Sequence, residues 1–287
     1  MKRFTLLLAI LAATMSLHAV TMAQMRFHCA EDTIKINSLL KAGYDSGLTD
    51  ANRLVAFYAR QLLGTPYVGH TLEGDSEQLT INIDQQDCTT FVETLYALTR
   101  TTLEGRYTWR DYARHLENLR YRGGTMGDYS SRLHYISDWI VDNRSRGNLI
   151  EVTPDVPHSK YTVKTINYMS THADSYRSLK NDSAMVAKIK GFENAYRNHR
   201  MPLLPKSWLK HKDVEASLRE GDFVGLMTTT AGLDISHLGI IVKDDQGHIH
   251  LLDASMSGGK VMEEASTLYQ QLSSNKSNTG IRVFRLK

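Results

Sequence analysis

The sequence predicts an α+β fold, with helices first and a strand meander last. Apolar residues recur at helical spacing through the first two thirds of the chain, then switch to strand-like alternation from about Asp222 onward. Between two alternating runs, Asp244-Asp245-Gln246-Gly247 marks a tight turn, which makes His237–Val242 and His248–Leu252 an antiparallel hairpin. Helices segregated from a run of strands are the pattern of α+β architecture rather than of alternating α/β units.

The N-terminus comes before the folded part. Lys2 and Arg3 precede the apolar run Phe4 to Ala13, and the small residues Ala19 and Ala23 follow. A basic end, an apolar middle and small residues at a cleavage point form a secretory leader, expected over residues 1–23. The run is shorter than the roughly 18–20 residues that cross a bilayer, and no later stretch reaches that length. The expected mature chain, 24–287, is a single exported domain with no membrane span, periplasmic or secreted. Arg26-Phe27-His28 before Cys29 are too bulky and polar for a lipid-modification site.

The first clear helix covers about Thr49 to Leu63, capped by Thr49 or Asp50, with Leu54, Val55, Tyr58 and Leu62 as its stripe. Gly64 and Pro66 end it. A polar loop runs from Gly69 to Gln78, and Leu79-Thr80-Ile81-Asn82-Ile83 alternates as a short exposed strand would. The next helix begins at Cys88 and turns Phe91, Val92, Leu95 and Leu98 inward. A long, mostly helical insertion follows, from about 101 to 212. Trp109, Tyr112, Leu116 and Leu119 stripe one of its helices; Ser130 or Ser131 caps another through Leu133, Ile136, Trp139 and Ile140. Tyr161–Met169 reads as a strand, Ser183–Tyr196 as a helix, and Pro202 and Pro205 as marks of a connector. Strands are then expected at Asp222–Met227, in the hairpin, at Lys260–Met262 and at Ile281–Leu286.

Of the 287 residues, 41% are hydrophobic and 23% charged, ordinary values for a folded protein. Loss of Lys2 and Arg3 with the leader lowers the formal net charge from +3 to +1, which gives no electrostatic case for nucleic acid. The two cysteines could form a Cys29–Cys88 disulfide, but Cys29 lies in an N-terminus expected to fray, and a chain of this size needs no staple. His248 and His250 alternate on the hairpin without further ligands nearby, so neither a metal nor a cofactor is expected.

Cys88 stands where a polar stretch gives way to a helix. There its sulfur meets the positive end of the helix dipole, Asp87 can cap the helix, and the Cys88 amide can face a developing oxyanion. His237 opens a strand downstream and can serve as the base. The antiparallel return of the hairpin brings Asp253 back toward it, where a carboxylate can orient the ring. Cysteine, imidazole and carboxylate in these roles form the nucleophilic triad of a hydrolase.

Gly64-Thr65-Pro66-Tyr67-Val68, Asp87-Cys88-Thr89 and Ser236-His237-Leu238-Gly239-Ile240 resemble the motif series of NlpC-type papain-like cell-wall peptidases. More closely, Asp87-Cys88-Thr89-Thr90-Phe91-Val92-Glu93, His134-Tyr135-Ile136-Ser137-Asp138-Trp139 and Gly232-Leu233-Asp234-Ile235-Ser236-His237 resemble the N-acetylmuramoyl-L-alanine amidase-like family. The resemblance implies a papain-like fold and metal-free amide hydrolysis in peptidoglycan or muropeptide fragments. Cys88 is the implied nucleophile, His237 the base and Asp253 the third residue. Tyr67 matches the tyrosine beside the nucleophile that helps bind substrate or oxyanion, and Asp87 and Ser236 of the motifs join it as candidate oxyanion- or substrate-binding residues. Arg132, His134 and Asp138 of the insertion become candidates for holding substrate carboxylates or amines. Thr89-Thr90 stands where NlpC peptidases carry Ser-Gly, and the insertion is longer than theirs. Three readings follow: cleavage of the muramoyl–L-alanine amide, cleavage between D-glutamate and the diamino acid within the stem peptide, or a wall-binding module without activity.

Overall fold

The computed structural model describes residues 20–287; most of the expected leader, 1–19, lies outside them. Strand β1 (Met25–Phe27) leads to helices α1 (Asp32–Asp45) and α2 (Ala51–Gln61), then β2 (Leu79–Ile81) and α3 (Cys88–Leu103). The central part holds α4 (Trp109–Arg120), α5 (Ile136–Ser145), β3 (Leu149–Glu151), β4 (Lys160–Lys164), α6 (Tyr168–Thr171), α7 (Ser183–Asn194) and β5 (His199–Pro205). After α8 (Lys212–Ser217) come β6 (Phe223–Thr228), β7 (Ile235–Lys243), β8 (Ile249–Ser255), β9 (Lys260–Thr267), α9 (Leu268–Ser274) and β10 (Asn278–Leu286). The fold is mixed α+β, as the change of period predicts.

An antiparallel sheet in the order β4-β5-β10-β6-β7-β8-β9 is its backbone, with β3 paired to β10. Because successive strand residues face opposite sides, the sheet supplies two cores. Phe223, Leu238, Ile240, Val242 and Leu252 pack with α3 and the other N-terminal helices. Val224, Leu226, Ile241, Leu251 and Val283 pack with Val214 of α8 and Leu268 and Leu272 of α9. Since both faces are covered there, the central strands β6, β7, β8 and β10 are mostly buried, and their alternation in sequence is partial for that reason; β4 and β9 at the edges stay largely open.

Helix α3 is more central than one apolar stripe implies: every residue from Thr90 to Thr99 is buried. Its charged member, Glu93, is matched by Arg120 of α4 at 2.7 Å, and the same guanidinium donates to the Thr80 carbonyl at 2.9 Å. A buried carboxylate is tolerable only with such a partner.

Several expectations change. The N-terminus is tied down: β1 pairs in parallel with β2, and both cysteines are free. β2 is therefore buried rather than exposed. The helix expected to be capped by Ser130 or Ser131 starts at Ile136; Asp128 caps only a short 3-10 turn over Tyr129–Ser131. The strand expected over Tyr161–Met169 stops at Lys164, where the chain turns to give the Asn167 and Tyr168 amides to the Gly232 carbonyl. The proline connector is strand β5. It meets β10 only at Leu204 and Pro205, so its prolines interrupt little of the ladder. α1 and α9, whose stripes are weak, were not evident from spacing.

Gly239 sits where β7 and β8 approach closely. A Cβ there would lie 2.8 Å from Leu251 Cδ1, 2.9 Å from the Leu252 carbonyl oxygen and 3.0 Å from Asp253 Cβ. Two of these neighbours are backbone or adjoin it, so they cannot simply swing away. Gly239→Ala is expected to destabilise the fold by about 1–3 kcal/mol, the usual scale of overpacking, seen as a lowered thermal midpoint. An unchanged midpoint would show that the strands separate freely.

Candidate active site

Cys88 is the first residue of α3, and the helix start is built around it. The Asp87 carboxylate accepts from the Thr90 amide at 2.8 Å while the Thr90 hydroxyl accepts from the Asp87 amide at 2.9 Å, a reciprocal cap. Asp87 is thereby engaged as a cap rather than presented to a substrate, and Thr90 has a defined purpose that the sequence did not reveal. The first-turn amides of Cys88 and Thr89 have no intrahelical acceptor, as geometry requires of any helix start.

A strap formed by residues 64–68 crosses the entry to this helix. Gln86 donates to the Pro66 carbonyl at 3.0 Å, and Val68 donates to the Gln86 carbonyl at 3.0 Å. On its other side the strap meets the sheet, with Tyr67 N donating to the Gly259 carbonyl at 2.9 Å. Tyr67 is thus fixed between α3 and the approach to β9. Burial raises the pKa of its hydroxyl, and the negative charges of Cys88 and Asp87 nearby raise it further. The phenol stays protonated beside the sulfur and can donate a hydrogen bond.

His237 lies on β7 just after an irregularity in register. Leu226 pairs with His237 but Met227 pairs with Ile235, so Ser236 is an extra residue in the ladder. Such a bulge re-aims the neighbouring side chain. Ser236 itself is exposed, its hydroxyl 3.4 Å from the Leu226 carbonyl, and it takes no part in the cysteine–histidine contact. The imidazole bonds through Nε2 to Oδ2 of Asp253, which leaves Nδ1 as the nitrogen available to Cys88. β8 continues to Ser255, so Asp253 is a buried strand residue, 1% exposed, and not a turn residue. Burial by itself would lower the His237 pKa. Hydrogen bonding to Asp253 and to Cys88, with their negative charges, outweighs burial and raises it from 6.5 to about 10. At neutral pH the ring is an imidazolium, the neighbour that favours a thiolate.

The three insertion candidates are not brought to this centre by any hydrogen bond or ion pair. Arg132 is buried and pairs with Glu73 at 2.9 Å and Glu77 at 3.0 Å. His134 packs tilted against the Tyr129 ring and bonds through Nε2 to the Tyr129 carbonyl at 2.8 Å. Burial, then the Arg132 charge, lowers its pKa to about 3. Asp138 is held by Arg122 on both oxygens and accepts from the Tyr196 hydroxyl at 2.7 Å. These side chains join parts of the insertion to one another and to the 69–78 loop. Asp234, which spacing did not single out, has a more direct bearing on the site: its carboxylate accepts from the Ser137 amide at 2.5 Å and ties α5 to the strand that carries His237.

A potential cation cluster is already engaged. Ligand atoms of Cys29, Asp32 and Asp84 lie within 4.8 Å of one another. Asp32 accepts from the amides of Cys29 and Ile83, however, and Asp84 pairs with Lys35.

The model of the AmiA-like, N-acetylmuramoyl-L-alanine amidase-like family matches residues 58–281, which include the strap, the α3 start and the β7–β8 hairpin. The chain belongs to this family. Among solved structures it resembles an N-acetylmuramoyl-L-alanine amidase from Bacteroides uniformis, at 36% identity and a TM-score of 0.77, covering 83% of this chain and 99% of that one. A Bacteroides fragilis protein provisionally named a xylanase matches at 41% identity and a TM-score of 0.75, over 80% of this chain and all of that one (100%). A Legionella pneumophila protein of the DUF1460 family shares the fold, with 19% identity, a TM-score of 0.66, and coverage of 88% and 94%. No curated protein matches the sequence. Among the described residues of this amidase-like chain, no helix is long and apolar enough to cross a membrane.

The raised pKa of His237 fixes the sign of its pH dependence. A folded-state value above the unfolded one adds stability that is complete below pH 6.5 and is lost as pH rises through about 10. Replacement of Asp253 by Asn removes the hydrogen-bonded anion, so the imidazolium should deprotonate about 1–3 pH units lower. An NMR titration of the His237 ring in the wild-type and Asp253→Asn proteins measures this directly. Coincident curves would show that Asp253 does not hold the charge.

Proposed function

We propose that this chain is an exported cysteine amidase with a papain-like, NlpC-type arrangement, acting on peptidoglycan or muropeptides. The bond we assign is the amide between the lactyl group of N-acetylmuramic acid and L-alanine. One observation carries this reading: a cysteine at a helix start, an imidazolium and a buried carboxylate converge on one point, each held by backbone geometry rather than by a flexible loop.

In this scheme the Cys88 thiolate attacks the lactyl carbonyl carbon. Negative charge gathers on the carbonyl oxygen, where the unpaired first-turn amide of Cys88 and the protonated Tyr67 hydroxyl can donate to it. The C–N bond breaks as His237 delivers its proton to the leaving nitrogen, and the L-alanine amine departs with its peptide. The acyl group remains on sulfur as a thioester. His237, now neutral, takes a proton from water; the hydroxide equivalent attacks the thioester, and the sugar acid leaves with Cys88 and His237 restored. Asp253 keeps the ring turned through both halves.

The xylanase name on one relative finds little support in these residues. Glycoside hydrolysis ordinarily needs two carboxyl groups flanking the scissile bond. Here Asp253 is buried and committed to His237, and Asp87 is committed to its helix cap. Amide cleavage by the Cys88 thiol and the His237 imidazole uses these residues as they are placed.

Mass spectrometry of a defined muropeptide after incubation with the protein tests the assignment. The expected products are free sugar and intact peptide, and Cys88→Ala should slow their release by on the order of 10⁴-fold or more. A sugar retaining L-Ala-D-Glu would place the cut within the stem peptide instead. Undiminished release by Cys88→Ala would end the cysteine mechanism.

A further inference from the structure

Asp234 is a buried carboxylate, 1% exposed, that the proposed hydrolysis leaves unused. It stands three residues before His237, on the N-terminal side of the β7 bulge. Its Oδ2 accepts from the Ser137 amide at 2.5 Å, while its Oδ1 has no hydrogen-bond partner among the described residues. A buried carboxylate with one oxygen unmatched lowers stability, so hydrogen-bond satisfaction alone does not account for this side chain. Its place beside the bulge does.

The two flanks of the bulge are held differently. Beyond it, Leu238 and Gly239 pair with Gly225 and Val224 of β6, and Gly239 lies close against β8. Before it, Ile235 pairs with Met227, and the Thr228 amide donates to the Asp234 carbonyl at 3.3 Å, a long bond. Ile235 also lies over Gly225, where a Cβ would come within 2.6 Å of Ile235 Cδ1. Ser236, between the flanks, is exposed, and its hydroxyl is 3.4 Å from the Leu226 carbonyl, too far to fix it firmly. The path of the chain through Ser236, and with it the direction of the His237 ring, therefore depends on where Asp234 is held.

Asp234 is held from outside the strand pair. Ser137 is in the first turn of α5, where amides lack an intrahelical acceptor and the helix dipole favours an anion. The same serine is fixed from its other side. Its hydroxyl accepts from Arg282 of β10 at 2.8 Å, and Arg282 donates to Glu151 of β3 at 2.7 Å, a pair withdrawn from solvent. Lys164 of β4 and His199 of β5 feel the Asp234 charge, but the Lys164 ammonium donates to the Thr228 carbonyl. A continuous run of contacts thus leads from β3 and β10 through the start of α5 to the bulge.

We infer that Asp234 is a positioning residue for His237: its bond to the Ser137 amide fixes the near flank of the bulge and so aims the imidazole at Cys88. Length and direction of the carboxylate arm matter here, more than its charge. Displacing the bulge by about 1 Å would draw Nδ1 from the sulfur or turn Nε2 off Asp253, a misplacement worth on the order of 100-fold in rate. The effect on rate rests on the hydrolytic reading; the placement of the ring does not.

The test compares Asp234→Glu with Asp234→Asn in the full chain carrying Cys29→Ser, so that Cys88 is the only thiol. Glu keeps the charge and lengthens the arm by one methylene; Asn keeps the length and an oxygen that can accept from Ser137. NMR titration of the His237 ring and ultraviolet absorbance of the thiolate report on the centre without substrate, and cleavage of a defined muropeptide gives kcat and KM. In Asp234→Glu the imidazolium should deprotonate about one pH unit lower or more, with loss of thiolate absorbance at neutral pH. Its kcat should fall about tenfold or more while KM changes less than about twofold. Asp234→Asn, the conservative variant, should restore all three. A thermal melt verifies folding; should the longer arm unfold the chain, Asp234→Ala, which removes the arm, takes its place with the same expected result. Glu193→Gln is the control, since Glu193 is equally buried in the insertion but accepts from the Tyr135 hydroxyl at 2.7 Å and the Ser170 amide at 3.0 Å, away from β7. It should lower the thermal midpoint and leave the ring and the rate unchanged. Impairment by Asn with Glu near wild type would make charge the cause and overturn the proposal, as would an effect of Glu193→Gln on the ring equal to that of Asp234→Glu. If ring and thiolate respond as expected while the wild-type chain leaves muropeptide uncut, the hydrolytic reading falls and the positioning role stands. If muropeptide is cut and the Glu variant matches wild type in both ring and rate, only the positioning role falls.

Discussion

A carboxylate buried as deeply as Asp253 is unstable without a positive partner, and this requirement organises the centre of the molecule. The partner is His237 on the next strand, and their hydrogen bond spans the β7–β8 pair. The second Asp253 oxygen, Oδ1, has no hydrogen-bond partner among the described residues, so the charge depends heavily on the ring. The pairing therefore reaches in two directions. It raises the affinity of the imidazole for its proton, and it fixes which ring nitrogen is left for the sulfur. Gly239 serves the same contact, because only a residue without a side chain lets the two strands lie so close beside Asp253.

The other half of the centre is held by different physics. Cys88 is placed by a helix whose body is buried on every side between Thr90 and Thr99, so the helix has little freedom to shift. Its first turn is locked by the Asp87–Thr90 cap, and the 64–68 strap joins that turn to the β9 side of the sheet. The insertion adds a further brace. Asp234 bonds to the start of α5, and Gly232 accepts two amides from the segment leading into α6. Residues 101–212 thus clamp the loop that enters β7, in addition to lengthening the connection between cysteine and histidine.

What could be read from sequence was whatever depends on local chemistry. The Cys88 helix start, the Asp244–Gly247 turn and the return of Asp253 toward His237 all follow from short-range rules of capping, turn geometry and alternation. What stayed hidden depends on distant partners. β1 has three residues and exists because β2 pairs with it; β5 carries two prolines and becomes a strand only through β4 and the end of β10. Arg132, His134 and Asp138 were readable as polar residues in a motif, but their roles were not. Each turned out to be satisfied by other protein groups: Arg132 by the distant Glu73 and Glu77, His134 by the nearby Tyr129 carbonyl and ring, and Asp138 by Arg122 and the distant Tyr196. A motif shows that residues matter together without showing whether they face a substrate or one another.

The distribution of charge follows from this division. Close to the sulfur the carboxylates are committed: Asp87 to its cap, Asp253 to His237, Glu93 to Arg120. Committed groups supply a fixed field, which suits a reaction whose charge must develop at one oxygen without reorganisation of the surroundings. Farther along the 69–78 loop the pairing loosens toward solvent, from the buried Arg132–Glu77 pair to the exposed Arg177–Asp75 pair. Exposed pairs cost little to exchange, so that part of the surface can rearrange without disturbing the field around the Cys88 sulfur. A single loop, tied to the strap at one end and to Arg132 at the other, gives the protein both kinds of surface.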